Sequence, residues 1–323
     1  MQEVAIICGG FSSEFEISVL SGTNIQKHFP EPYTARLVIL QRSGWTVRIE
    51  GQEVPLNPVD FTYVLQGETK RFDFAIVYIH GDPGENGKVQ AYLEMIQMPY
   101  VNSGPLASQL SFDKWYCNQF LKGFQVPVAD SIYLINPKET IDPQKIVDSL
   151  GLPVFVKPCD SGSSYGIAKV ESMEELPAAI AHAFQEGKTV VIERFLKGTE
   201  VTCGVYRTND GVRALPLTEI VSQKAFFDYE AKYKGLSDEI TPARIPQDQT
   251  EKVQELACKI YSLLQLRSIA RIDFMVVDGK PFVIEVNTTP GFSNESIVPK
   301  MIAADGKTTR DFWAEILAVE LSA

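Results

Sequence analysis

The sequence predicts an α/β protein whose first hundred residues form a doubly wound parallel sheet and whose last third is strand-rich. Three features carry that reading. Short apolar runs alternate with helical patterns up to residue 102; Asn102-Ser103-Gly104-Pro105 then breaks the pattern; and two apolar runs, 272–277 and 282–286, flank the turn-like Asp278-Gly279-Lys280. Alternating strands and helices imply a parallel sheet covered by helices, with ligand sites at the carboxyl ends of its strands.

Taken in order, 4–8 is a buried-strand run followed by Gly9-Gly10 and a helical pattern over 15–28. Strands follow at 35–40 and 74–79, then a helix over 87–96 and a short strand at 100–102. Beyond the break come a helix over 114–122, strands at 131–135, 154–157 and 167–170, and helices at 144–149 and 173–186. After Lys188 the texture is sheet-like, with strands at 190–193, 201–206 and 214–220, then the hairpin. Helices over 250–264 and 309–321 complete the pattern. These shifts predict three units, 1–103, 104–189 and 190–323. The polar stretch 226–249 is long for a connection, as lids and binding loops are.

With 323 residues, 45% of them hydrophobic and 22% charged, the chain has a globular composition and is too long for one ordinary core. Its net charge of −11 argues against a nucleic-acid partner, whose phosphate backbone it would repel. Five scattered cysteines without metal spacing read as reduced thiols. The start MQEVAIICGG lacks a basic region and a long apolar run, and no apolar stretch approaches bilayer length. The expectation is a cytoplasmic protein.

The hairpin is the most informative segment. Period-2 alternation puts Arg271 and Asp273 on one face of the first strand, and Glu285 and Asn287 on one face of the second. Three oxygen donors and a guanidinium on adjacent strands suit Mg²⁺ bridging carboxylates and the phosphates of a nucleotide. Five further segments leave two readings open each. In KPCDSGSSYGIAKV the run Gly162-Ser163-Ser164 after Lys157 is a hairpin turn or a phosphate loop. In VVIERFLKGTE, residues Glu193, Phe195, Leu196 and Glu200 line an adenine slot or end a strand in solvated glutamates. Glu14, near a helix start, caps that helix or captures a substrate ammonium. His80, at the carboxyl end of a strand, is structural or functional. AFFDYEAKYKG packs on the core or closes over a ligand.

In this order along one chain, these segments resemble the D-alanine–D-alanine ligases of the ATP-grasp superfamily, with FDYEAKY and EVNTTPGF the most discriminating stretches. The resemblance implies an ATP-grasp fold behind an N-terminal Rossmann-like substrate domain. It also implies an ATP-dependent ligase that joins two D-alanines through a D-alanyl phosphate, for peptidoglycan. The implied cofactors are ATP and two Mg²⁺ ions, Mn²⁺ being an alternative, and the implied assembly is a homodimer. Asp273, Glu285 and Asn287 match the metal ligands; Lys114, Lys157 and Lys232 match lysines on the phosphates; Ser163 and Ser164 match the phosphate loop. Glu193, Phe195, Leu196, Glu200 and Met275 match the adenine and ribose pocket. Glu14 matches the carboxylate on the first substrate's ammonium, tied to Ser163 and Tyr233, with His80 near that substrate. Arg271 and the Gly291 N–H match groups facing the reacting carbonyl, and Ser296 and Ile297 flank the second substrate's carboxylate. The chain departs from the common family text at Asn86, Cys159, Phe227 and Asn294-Glu295. Related enzymes accept D-lactate or D-serine, and Tyr233 favours an amine acceptor.

Overall fold

The computed structural model describes residues 2–138, 142–162, 165–222 and 237–322. Three sheets organise them. The first is built by β1 (Glu3–Gly9), α1 (Phe15–Lys27), β2 (Thr34–Gln41), β3 (Gly44–Ile49), β4 (Gln52–Asn57), β5 (Thr62–Leu65), β6 (Glu68–Arg71), β7 (Phe74–Val77) and α2 (Lys88–Met95). Its strand order is β6-β5-β4-β3-β2-β1-β7. Parallel pairing is confined to β2-β1-β7, while β3 to β6 continue the sheet as an antiparallel meander that the alternation argument had not placed. Two of its turns are two-residue loops, Glu50-Gly51 and Gln66-Gly67, with positive φ at both positions, the geometry that matches strand twist. The expected strand at 100–102 is a single bridge, Ala75 to Tyr100.

Two short helices follow: α3 (Pro105–Phe112), which the sequence reading had not placed, and α4 (Lys114–Gly123), whose N-cap Asp113 accepts from the Tyr116 N–H at 3.1 Å. The central sheet then forms from β8 (Ser131–Leu134), α5 (Pro143–Leu150), β9 (Val154–Pro158), β10 (Ala168–Val170), α6 (Leu176–Glu186) and β11 (Val190–Arg194). Its order is β10-β9-β11-β8. The expected divide at 189/190 therefore falls just before a strand that pairs with β8 and β9.

The last sheet holds β12 (Thr199–Thr208), β13 (Gly211–Ala214), β14 (Thr218–Ser222), β15 (Ser237–Ile240), β16 (Ile269–Val277) and β17 (Lys280–Asn287). It is backed by α7 (Gln247–Leu263), α8 (Ile297–Ala304) and α9 (Thr309–Glu320). The β16–β17 turn has φ of 47° at Asp278 and 73° at Gly279, a tight two-residue hairpin. Of the expected lid, 226–236 lies outside the described residues, while 237–249 supplies β15 and the start of α7.

Apolar side chains divide unevenly among these sheets. One core joins Val4, Ile6, Phe74 and Tyr78 of the first sheet to Tyr206, Phe292, Val298, Phe312 and Trp313 of the last third. The central sheet has its own core, including Ile146, Leu150, Val156, Leu176 and Ile192. Helices α3 and α4 side with the last sheet, through Ala107, Cys117 and Leu121. No helix among the described residues is long and apolar enough to cross a membrane.

Candidate active site

Strand register makes the hairpin a site. Arg271 stands opposite Asn287 and Asp273 opposite Glu285, so all four side chains share one face. A bulge follows at once: Phe274 pairs with Val283, leaving Ile284 as the extra residue. The bulge shifts the alternation of β17, so that Val283 and Val286 are both buried while Glu285 turns to the open face. Asp273 sits at the centre of a donor cluster. Arg271 donates to both its oxygens at 2.8 Å, Asn287 Nδ2 donates at 3.2 Å and Thr202 Oγ1 at 2.5 Å. Burial opposes charge on Arg271, but the Asp273 carboxylate outweighs it and raises the guanidinium's pKa further.

The hairpin closes a cleft of about 460 Å³ against the central sheet. Phe155, Ile167, Phe195, Leu196 and Met275 give it apolar walls, and Lys114, Lys157, Glu193 and Glu200 supply its charges. Lys157 Nζ lies 2.7 Å from Glu193 Oε2, both buried, with Asn118 Nδ2 donating to the other oxygen at 3.1 Å. Burial works against the Lys157 charge, and the Glu193 carboxylate more than restores it, so the pKa is raised. Lys114 Nζ bridges the sheets: it donates to the Ser161 carbonyl at 2.9 Å and lies 3.6 Å from Glu285.

A second cavity, about 440 Å³, opens beyond Arg271 and shares Lys114, Arg271 and Glu285 with the first. Glu14, His80, Glu85, Asn287, Gly291 and Ser296 line it. Glu14 is the N-cap of α1. The Gly162 backbone comes so close that an added Cβ would meet the Glu14 carboxylate at 2.7 Å. His80 Nε2 lies 3.1 Å from Ser21 Oγ. Burial lowers its pKa, partly offset by the Glu14 charge. Glu85 accepts from the Gly81 N–H at 2.8 Å, and burial, aided by the Glu14 charge, pushes its pKa up to about 8. Ser296 Oγ lies 2.8 Å from Ser293 Oγ and accepts from the Ser293 N–H at 3.0 Å. Ile297 opens α8 and touches both cavities.

The described predicted residues therefore converge on two joined cavities. Ser163, Ser164, Lys232 and Tyr233 lie outside the described residues. Sequence reasoning missed Thr202, Asn118 and a place for Glu85 in the second cavity. Thr202 carried a signal, since it stands two residues from Glu200 and so on the same strand face.

The donors suit a hard divalent cation. No cluster of three or more His, Cys, Asp or Glu occurs among the described residues. The set is instead two carboxylates in register plus the Asn287 amide, hard oxygen donors of the kind Mg²⁺ takes.

Comparison with known proteins agrees with this geometry. The family model for the D-ala D-ala ligase N-terminus matches residues 3–103, and that for the D-ala D-ala ligase C-terminus matches 120–318. A D-alanine–D-alanine ligase from Parabacteroides distasonis is 43% identical over 323 residues, covering 99% of this chain and 98% of the relative. Among solved structures, D-alanyl-alanine synthetase A from Vibrio cholerae superposes with a TM-score of 0.88 at 28% identity, covering 100% of this chain and 99% of the other. A D-alanine–D-alanine ligase from Bacillus anthracis, complexed with ATP, does so with 0.80 at 28% identity over 100% and 98%.

Proposed function

The chain belongs to the D-alanine–D-alanine ligase family, and on that premise we propose how its two cavities divide the reaction. The protein is an ATP-dependent ligase of the ATP-grasp fold that makes D-alanyl-D-alanine for peptidoglycan. The observation that carries the assignment of roles is the junction, where Lys114, Arg271 and Glu285 face both cavities at once.

ATP fills the 460 Å³ cleft, its adenine among Phe195, Leu196 and Met275 and its ribose hydroxyls on Glu200. Glu193 holds the buried Lys157 ammonium in place, and Lys157 and Lys114 take the phosphates, joined by Ser163, Ser164 and Lys232. Asp273, Glu285 and Asn287 hold the magnesium. When bound, that metal neutralises charge on the transferring phosphoryl group.

Glu14 holds the ammonium of the first D-alanine, with Ser163 and Tyr233 completing its hydrogen bonds and His80 beside it. The carboxylate oxygen of that D-alanine attacks the γ-phosphorus, and ADP leaves. The amine of the second D-alanine, its carboxylate near Ser296 and Ile297, then attacks the acyl carbon. Phosphate departs and the amine loses its proton. Arg271 and the Gly291 N–H face the carbonyl oxygen, where negative charge grows during attack.

The chain acts in the cytoplasm and forms a homodimer of three-unit subunits. The units divide near 103 and, because β11 pairs with β8 and β9, after about 194 rather than at the expected 189. The first and last units share one apolar core, which supports treating them as one body. The test is product identification with ATP, Mg²⁺ and D-alanine, with L-alanine and D-lactate alongside. A dipeptide from D-alanine alone is expected. A depsipeptide in preference would overturn the amine acceptor, and no product in any mixture would overturn the ligase reading.

A further inference from the structure

Gly291 is held from outside its own sheet. Its neighbour Phe292 uses both backbone groups on α1: the N–H donates to Ser21 Oγ at 3.1 Å, and the carbonyl accepts from Asn24 Nδ2 at 2.8 Å. On the other side, the Pro290 carbonyl accepts from the Tyr78 hydroxyl at 2.9 Å. All three tethers come from the N-terminal sheet and its first helix, whereas the loop they hold follows β17. The fully buried Phe292 ring seats the loop further, against Tyr78 and Trp313.

The helix that supplies two of the tethers starts at Glu14, which occupies its N-cap position without a side-chain capping bond. A helix is stiff and rises about 1.5 Å per residue, so the ten steps from Glu14 to Asn24 form a rod of about 15 Å. One end of this rod meets the second cavity at Glu14, and the other fixes the backbone beside Gly291.

Asn24 is a poor choice for stability alone. It is buried, and its Oδ1 has no hydrogen-bond partner among the described residues. A leucine of similar shape would remove that unsatisfied oxygen, though it would also leave the Phe292 carbonyl without its Asn24 donor. What asparagine adds is a directional donor to the carbonyl next to Gly291.

We propose that Ser21, Asn24 and Tyr78 are positioning residues that set the place of the Gly291 N–H relative to a substrate held at Glu14. The inference rests on the roles assigned above to Glu14 and Gly291. An oxyanion donor acts only within a narrow distance of the developing charge, and a misplacement of about 1 Å costs about 10²-fold in rate. None of the tethers touches the nucleotide cleft, so their loss should spare ATP binding and fall on turnover.

The experiment uses the full chain with Asn24→Leu and Tyr78→Phe, measuring D-alanine-dependent phosphate release, KM for each substrate and the thermal midpoint. Asn24→Leu is expected to lower kcat about 10- to 100-fold while KM for ATP stays within about twofold. Loss of the Asn24 hydrogen bond leaves the Phe292 carbonyl without that donor, so the thermal midpoint should fall modestly. A kcat loss in protein that is still fully folded at the assay temperature, with KM for ATP unchanged, is what a purely structural asparagine would not produce. Tyr78→Phe loosens the other side of Gly291 and should lower kcat independently, which keeps the inference testable should Asn24→Leu not fold. Parental kcat in the folded variants, or a loss confined to KM, would overturn the positioning role. Absence of dipeptide from the parent protein would instead strike the ligase reading, so the two failures are distinct.

Discussion

The body that carries the metal hairpin and the lobe that covers the nucleotide cleft are built on opposite plans. In the first, side chains from residues 4–101 and 206–317 form one apolar core, in which Tyr78, Phe292, Phe312 and Trp313 meet edge to face or stacked. In the second, residues 132–192 bury their apolar groups against one another. Where that lobe meets the site, the described polar contacts, Lys114 on the Ser161 carbonyl and Asn118 on Glu193, stand beside an aromatic stack, Trp115 on Tyr133, rather than a shared apolar core. Apolar burial fixes elements in one arrangement, whereas small polar contacts permit relative motion of lobes. The parts that must stay registered to ångström accuracy lie in the fused body, and the part that must admit ATP lies in the separable one.

The largest effect should come from the fused body's chemistry. Asp273→Ala combined with Glu285→Ala should lower D-alanine-dependent phosphate release about 10³-fold or more. Measurable residual turnover at a near-parental level would break the assignment of the metal to this hairpin.

Next come the two cores. Trp313→Ala should cost about 3–5 kcal/mol, and Ile146→Ala about 2–5 kcal/mol. Hydrogen exchange separates them: Trp313→Ala should weaken protection in the first and last sheets together, Ile146→Ala only in 131–194. Uniform loss in both variants would show that the two bodies are one cooperative unit.

A smaller, pH-dependent effect sharpens the picture of the second cavity. Glu85 has its folded-state pKa raised from 4.5 to about 8, so the unfolded chain binds fewer protons between these values and stability falls as pH rises through that window. His80 acts with the opposite sign: its lowered pKa makes the folded chain bind fewer protons below about 6.5, so stability falls on acidification there. Between about pH 6.5 and 8, Glu85 therefore governs the slope of these two. Glu85→Gln should flatten denaturant-measured stability across that window, and an unchanged slope would count against a buried carboxyl there.

The smallest effect is at the edge of the fused body. Thr308 and Asp311 form a reciprocal capping box at the start of α9. Thr308→Ala should cost about 1 kcal/mol in chemical denaturation with turnover unaltered. A larger loss would mean that this helix end does more for the shared core than cap itself.

Much of the hairpin was readable in the sequence because its causes are local. Asp278-Gly279 tolerates the positive φ of a two-residue turn, and alternation aligns Arg271 with Asp273. The same logic was available at Glu50-Gly51 and Gln66-Gly67, which announce the meander of the first sheet. The bulge at Ile284 was not readable, since only pairing with β16 exposes the extra residue. Spacing from Glu200 gives the face of Thr202, but not its meeting with Asp273 across 71 positions of chain. Ser163, Ser164, Lys232 and Tyr233 rest on family resemblance alone.

By itself, then, the sequence determined the chemical kinds and the local periods: which strands and helices form, where turns fall, and that oxygen donors, lysines and an arginine occur at strand-compatible spacing. Tertiary structure alone decided which faces meet. It joined the first hundred residues to the last hundred through one core and placed Ser21 and Asn24 on the loop beside Gly291. It also set the half-buried Glu85 beside Glu14, which raises the pKa of its carboxyl. The reason is physical: conformational preference acts over a few neighbouring residues, whereas burial, charge coupling and hydrogen-bond geometry depend on distances between groups far apart in the chain.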